Sequence, residues 1–440
     1  MHTRRFAKVA AFVAASALVL TGCSGGPDQG APADLAGEVD YSGTLSILTK
    51  FGADGENKYF QDIADAYTAM HPDVKIELIQ ETDQSIKDKT KTLTASQALP
   101  DIFFTWSGNW AADFIRGGLA ADLSDVIAPD TEWGKTFGEA SLSAFEYSDK
   151  FYGIPLYNNG KLMGYNMAMF DELGLDVPAT FEDLISTCGV IKDAGYEPIA
   201  FGNKDGWPGL HYLQQLFAYN VPTDVLEADF DPATAKLTDP GYEKSLAEFT
   251  QLVDSCTNTG VGTNGLLYST ARTSMLSGKS AMYYAEVLEF DAVLDEGNVV
   301  TPEQFGMFPL PAPAQAAGDP KSIQGAPEGY FVNAKAKNPA LAVDFMKFVT
   351  NLDNAKTLST TPYSQPSTVI GAVTEETSST AIMEGIDWVN KASHIVIWLD
   401  TVTVPEVADA WLAGGEALVG GTQSPEQVLE SVRKANQSAQ

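Results

Sequence analysis

The sequence predicts an α/β chain built in two lobes, and three observations carry that prediction. From residue 44 onward, strand-like segments alternate with segments whose apolar residues recur at three and four. The segment "PDIFFTW" (100–106) is nearly all apolar, as expected of a strand buried on both faces of a mostly parallel sheet. The chain has 440 residues, too many for one ordinary core, so two lobes are expected.

Each element follows from its pattern. "TLSILT" (44–49) reads as the first strand, running into a loop. Phe60, Ile63, Ala64, Tyr67 and Met70 mark a helix that His71-Pro72 closes. "VKIELIQ" (74–80) is a second strand, and a polar helix follows over about 84–97. Residues 150–166 ("KFYGIPLYNNGKLMGYN") hold two short strands around Pro155. Thr180 then caps a helix, with Asp183 closing a near capping box and Leu184, Ile185, Cys188 and Ile191 on its apolar face. Helices are expected near 208–219, 241–258 and 271–277, and strands at 280–285, 305–313 and 328–336. "NPALAVDFMKFVT" is an amphipathic helix, and a last one starts at Ser424, with Pro425 in the first turn and Gln427 completing the box.

The N-terminus reads as a targeting segment. Arg4, Arg5 and Lys8 precede a mostly apolar run over residues 9–20, too short to span a bilayer comfortably but suited to a secretory signal. Leu20-Thr21-Gly22-Cys23 resembles the lipobox of bacterial lipoproteins. That resemblance implies cleavage before Cys23 and diacylglycerol on its thiol, so that the protein is held at the extracytoplasmic face of the bacterial cell membrane. Residues 24–43, rich in Gly, Pro, Ala and acid, read as a disordered tether.

Removing residues 1–22 takes away three basic side chains and no acidic one, which moves the formal charge from −31 to −34. Such a surface repels nucleic acid and anionic membrane, so neither is expected as a partner beyond the lipid anchor. Cys188 and Cys256 are the remaining cysteines. In an oxidising compartment they form either a disulfide or two buried free thiols.

Four segments, in order, resemble the sugar-binding proteins of ABC importers. They are "PDIFFTWSGNWAADFIRGGLAADLS", "FYGIPLYNNGKLMGYN", "MLSGKSAMYY" and "KNPALAVDFMKFVTN". The resemblance, covering roughly 44–435, is to the extracellular solute-binding protein family that includes maltose- and oligosaccharide-binding lipoproteins. It implies a two-lobed periplasmic-binding-protein-like fold with a hinged ligand cleft. Lobe 1 is expected over 44–157 plus 305–355, and lobe 2 over 158–304 plus 356–440. The implied ligand is a mono- or oligosaccharide, bound by a monomer that serves ABC permease subunits and their ATPase, with no cofactor and no catalysis.

A sugar ring presents apolar C–H faces and a rim of hydroxyls, so its site needs flat aromatic platforms with amides and carboxylates around them. On the first lobe the loops after strands offer Phe51, Asp54, Glu81, Trp106, Asn109, Tyr157 and Asn158. On the second they offer Trp207, Tyr284, Glu286 and Trp398, and Glu328, within 305–355, stands where the family has a glycine-rich loop facing the cleft. Each also has a structural reading: aromatics are mostly buried anyway, and Asp, Asn and Glu in loops cap helices or face water. After the "SAM" strand the sequence reads "YYAEVLEF", without the Gly and Trp common in the family, which alters the stacking expected on that wall.

Two rival functions differ in their chemistry. A surface-anchored polysaccharide hydrolase needs two carboxylates flanking the bond, but no G-x-S-x-G or H-E-x-x-H motif is present. A binder of iron, phosphate or a polyamine would use the same fold; for iron, Tyr283, Tyr284 and Tyr330 would have to converge. His71, His211 and His394 are too scattered to suggest a metal site.

Overall fold

The computed structural model describes residues 35–53, 55–257 and 260–440. The signal segment, Cys23, most of the tether and Asp54 lie outside the described residues.

Two sheets organise the chain. The first contains β1 (Gly43–Thr49), β2 (Val74–Gln80), β3 (Ile102–Trp106), β4 (Gly153–Tyr157) and β9 (Glu328–Val332), in the order β2-β1-β3-β9-β4. β1 pairs in parallel with β2 and β3, whereas β9 runs antiparallel to both β3 and β4. All five residues of β3 are buried, as their unbroken apolarity requires. Pro155 is tolerated because β4 is an edge strand. Opposite it stands Gly329, where a Cβ would lie 2.2 Å from the Ile154 carbonyl oxygen, so only glycine lets the strands approach.

The second sheet holds β5 (Lys161–Asn166), β6 (Glu197–Ala200), β7 (Ser280–Glu286) and β8 (Phe305–Phe308), in the order β8-β5-β7-β6. Helices cover both sheets, and each lobe has its own core. Leu45, Phe103, Tyr330 and Phe345 belong to the first lobe's core; Leu184, Leu213, Phe249 and Trp411 belong to the second's. Cys188 and Cys256, fully buried on neighbouring helices of the second lobe, are joined by a disulfide. The Thr180–Asp183 and Ser424–Gln427 capping boxes are both formed.

The chain crosses between sheets through Asn158–Gly160 and returns through 325–327, the two segments meeting at a Gly160–Gly325 bridge. This corrects the expected boundary at 305, because Phe305–Phe308 pairs with β5 of the second sheet. The boundary at 355 is also displaced. Ala355, Leu358, Val369 and Ala372 belong to the first core, and Ile382 is the first later residue in a second-lobe cluster. A strand pattern names a strand but not its partner, which displaces the boundary at 305; the one at 355 falls inside the helix Leu352–Ser359, whose core is likewise set by residues distant in sequence. The tether ends earlier than expected: Leu35 and Val39 pack on the first core, Asn338 Nδ2 donates to the Asp40 carbonyl at 2.7 Å, and Tyr41 stacks on His71 at 3.9 Å. The polar helix expected at 84–97 spans Asp83–Ala95, started by a capping box between Thr82 and Ser85. No helix among the described residues is long and apolar enough to cross a membrane.

Candidate functional site

The carboxyl ends of β1, β3 and β4 and the amino end of β9 share one edge of the first sheet, because Glu328 pairs with both Trp106 and Tyr157. Ligands of open α/β sheets bind at this edge. Lys50, directly after β1, reaches into it. Its Nζ lies 2.5 Å from Glu328 Oε2 and 3.1 Å from Asp83 Oδ1, and 5.3 Å and 5.5 Å from the ring centroids of Phe104 and Tyr157. Tyr157 donates its hydroxyl to the same Glu328 oxygen at 2.5 Å. Burial alone would push the Lys50 ammonium down, but Glu328, Tyr157 and Asp83 outweigh it and hold the group well above the usual lysine value.

The facing edge of the second lobe is built from Lys161, which opens β5, and Glu286, which ends β7. Trp207 starts the helix Trp207–Asn220, with His211 one turn on, and Trp398 precedes the short helix Leu399–Val402. The His211 ring stacks on Trp398, 4.5 Å away at 26°, and packs tilted against Trp207, 4.9 Å away at 49°. Lys161 Nζ is 2.9 Å from His211 Nδ1, 4.7 Å from the Trp207 ring and 4.0 Å from Glu286. Asn159, in the crossing segment, donates to Glu286. Burial lifts the Glu286 carboxyl to about 7 against the pull of Lys161, and burial likewise lowers Lys161.

These walls enclose two adjoining spaces that share Asp83, Trp207 and Glu286. One, about 30 Å³, lies among Trp106, Trp207 and Trp398 with Glu328, His211 and Asp400. The other, about 220 Å³, extends past Lys50, Phe51 and Glu56 to Tyr268, Arg272 and Glu289. A larger cavity of about 750 Å³ opens elsewhere, between Tyr165, Phe305, Thr360 and Ser379. It holds no tryptophan and none of the sequence-predicted residues, so the cleft, where aromatic faces and charged groups converge, is the candidate site.

Of the predicted residues, the structure brings Phe51, Trp106, Trp207, Glu286, Glu328 and Trp398 to these two spaces. Tyr157 sits beneath Glu328 and orients it. Four others are engaged away from the lining. Glu81 accepts from Ser85 at 2.6 Å, and Asn109 donates to the Val402 carbonyl at 2.5 Å. Asn158 accepts from Ser141 at 3.0 Å, and Tyr284 is buried against Tyr212. Sequence reading missed Lys50, Asp83, Lys87, Lys161, His211, Arg272 and Asp400, because charged residues read as solvent-facing until a partner is known. The single available signal is position: Lys50 directly follows a strand pattern and Asp83 opens the helix after one, near Phe51 and Glu81. Tyr283, Tyr284 and Tyr330 lie in three different clusters and do not converge. Among the described residues, no group of three His, Cys, Asp or Glu is arranged to hold a metal ion.

A cleft between two α/β lobes, walled by aromatics and paired charges, defines a binding protein that encloses a small solute. The chain belongs to the bacterial extracellular solute-binding protein family, whose model matches residues 53–356. It is therefore a solute-binding protein of ABC transporters. An uncharacterised ABC transporter extracellular-binding protein of Pyrococcus horikoshii is 21% identical over 77% of this chain and 75% of its own length. The maltotriose-binding protein of Pyrococcus abyssi is 25% identical over 69% of this chain and 62% of its own. Among solved structures, a chitin oligosaccharide binding protein superposes with a TM-score of 0.82 at 21% identity, covering 91% of this chain and 99% of that one.

Proposed function

We propose that this protein captures a sugar, an oligosaccharide in particular, and delivers it to an ABC-type permease from a lipid anchor at Cys23 on the outer face of the membrane. The observation that carries this reading is the convergence of Trp106 from one lobe with Trp207 and Trp398 from the other, beside Glu328 and Glu286. Covering about 60 Å² of apolar sugar face per indole contributes about 1.5 kcal/mol each. Hydrogen bonds to the carboxylates add roughly 1 kcal/mol apiece. Two or three platforms with several such bonds overcome association costs of about 4 kcal/mol or more and reach micromolar affinity. A maltotriose-binding relative and a chitin-oligosaccharide-binding structural neighbour support the ligand class.

A thermal-shift screen tests it, using maltotriose, chitotriose, xylotriose and raffinose, with ferric iron, phosphate and spermidine as controls. A sugar at about a hundred times its dissociation constant adds about 2.7 kcal/mol, a shift of several degrees. A shift with one sugar series and no loss of that sugar over hours is expected. A shift with a control alone moves the function to that solute, and consumption of the sugar revives the hydrolase.

A further inference from the structure

Resting on the sugar-binding reading, we infer that Lys161 and His211 form a fixed hydrogen-bond donor at the tryptophan-lined end of the cleft, and that His211 Nε2–H donates to a ligand oxygen there. A sugar hydroxyl, a ring ether, a glycosidic link or an amide carbonyl can each accept it.

The geometry leaves the imidazole one free edge. Trp398 stacks on the ring, Trp207 packs tilted against it, and Lys161 Nζ stands 2.9 Å from Nδ1. His211 is 5% exposed, yet it lines the same space as Trp106, Glu328 and Asp400. The edge that reaches that space is therefore the one carrying Nε2, which has no hydrogen-bond partner among the described residues.

With Lys161 as an ammonium, which can only donate, Nδ1 accepts and the ring proton sits on Nε2. A second proton on the ring would place imidazolium against ammonium. Burial, with Lys161 and Lys87 next in effect, pushes the imidazole well below its ordinary value. The charged groups around the ring are Lys161, Lys87, Glu286, Glu328, Asp83 and Asp400. Glu328 and Asp83 pair with Lys50, and Asp400 pairs with Lys87, while Glu286 lies at 4.0 Å from Lys161. The carboxylates in this cleft can accept from ligand hydroxyls; His211 supplies the opposite polarity. Lys161 is a positioning residue, since it acts on the ligand through the ring.

The test is nitrogen NMR of ¹⁵N-histidine-labelled protein, with His211 assigned by its loss in His211→Phe. The expected ligand-free spectrum shows a pyridine-type Nδ1 and a pyrrole-type Nε2, unchanged from pH 5.5 to 8. In Lys161→Met the ring is expected to become a mixture of tautomers, a change that a purely structural lysine would not cause. With whichever of maltotriose, chitotriose, xylotriose or raffinose binds, Nε2 should shift on saturation, and His211→Phe should weaken binding by roughly fivefold to tenfold. A proton on Nδ1, or titration near 6.5 in the wild type, overturns the proposal. So does full affinity in His211→Phe with no shift at Nε2. Because the ligand-free spectrum needs no sugar, failure of every sugar to bind would count against the sugar reading alone.

Discussion

Lys87 and Asp400 meet across the cleft, with Nζ 2.5 Å from Oδ2 and 313 positions of sequence between them. Lys87 stands on the first lobe's helix Asp83–Ala95 and Asp400 on the second lobe's helix Leu399–Val402. Nζ also lies 5.1 Å from the Trp106 ring. The pair ties the lobes together at the rim of the tryptophan-lined space. Removing the charge by Asp400→Asn is expected to shift the ligand-free equilibrium toward the open form by roughly fivefold, about 1 kcal/mol for a partly exposed pair. Small-angle scattering of the ligand-free protein would show a larger radius of gyration; an unchanged radius would remove the tie from the account of closure.

The three tryptophans are not equivalent targets. Trp106 is 5% exposed and packs edge-on against Phe104 and Trp110, so Trp106→Ala should cost about 3 kcal/mol of stability as well as affinity. Trp207→Leu keeps apolar fill and removes the flat face. It is expected to weaken sugar binding by about tenfold, from a loss near 1.4 kcal/mol. Titration calorimetry with the sugar found in the screen reads this directly, and equal affinities would take Trp207 out of the site.

Lys50 and Glu328 are 14% and 3% exposed, and Glu328 also accepts from Tyr157. Lys50→Met would strand a buried carboxylate and is expected to destabilise the protein by about 3–5 kcal/mol. Adding Glu328→Gln to that variant should restore a large part of the loss, since the stranded charge is gone. Denaturant titrations of the two variants against wild type decide it: no recovery in the double variant would show that Lys50 acts through packing.

Glu286 makes stability depend on pH in a defined direction. Its carboxyl is raised by burial to about 7 from an ordinary value of 4.5, so the folded protein holds this proton more tightly than the unfolded chain. The contribution is fully present below about 4.5 and is lost as the pH rises through 7. Relative to wild type, Glu286→Gln should therefore gain stability between pH 4.5 and 7.5. Thermal melts of both proteins across that range would show the gap opening with pH; a constant gap would mean Glu286 titrates normally.

Local pattern carried much of this fold. The apolar run at β3, the capping boxes at Thr180 and Ser424, and the helix closed by His71 all rest on interactions within a few residues, and each was legible. So was the placing of Phe51, Trp106, Trp207, Glu286, Glu328 and Trp398 at the cleft, since they stand where strands end or helices begin. Glu81, Asn109, Asn158 and Tyr284 occupy similar positions, but hydrogen bonds or packing engage them elsewhere, and loop position alone does not separate the two groups.

By itself, then, the sequence determined the α/β class, the two-lobe expectation, the main helix starts and the aromatic character of the site. Only the tertiary structure decided that Phe305–Phe308 completes the second sheet and that residues 35–42 dock on the first lobe. It also decided that Lys161 meets His211 and that Lys87 meets Asp400. The physical reason is the same in each case. Period and capping are encoded over a few residues, whereas strand partnership and the burial of a charge depend on groups far away in sequence. A lysine reads as solvent-facing until a distant acceptor offsets its desolvation.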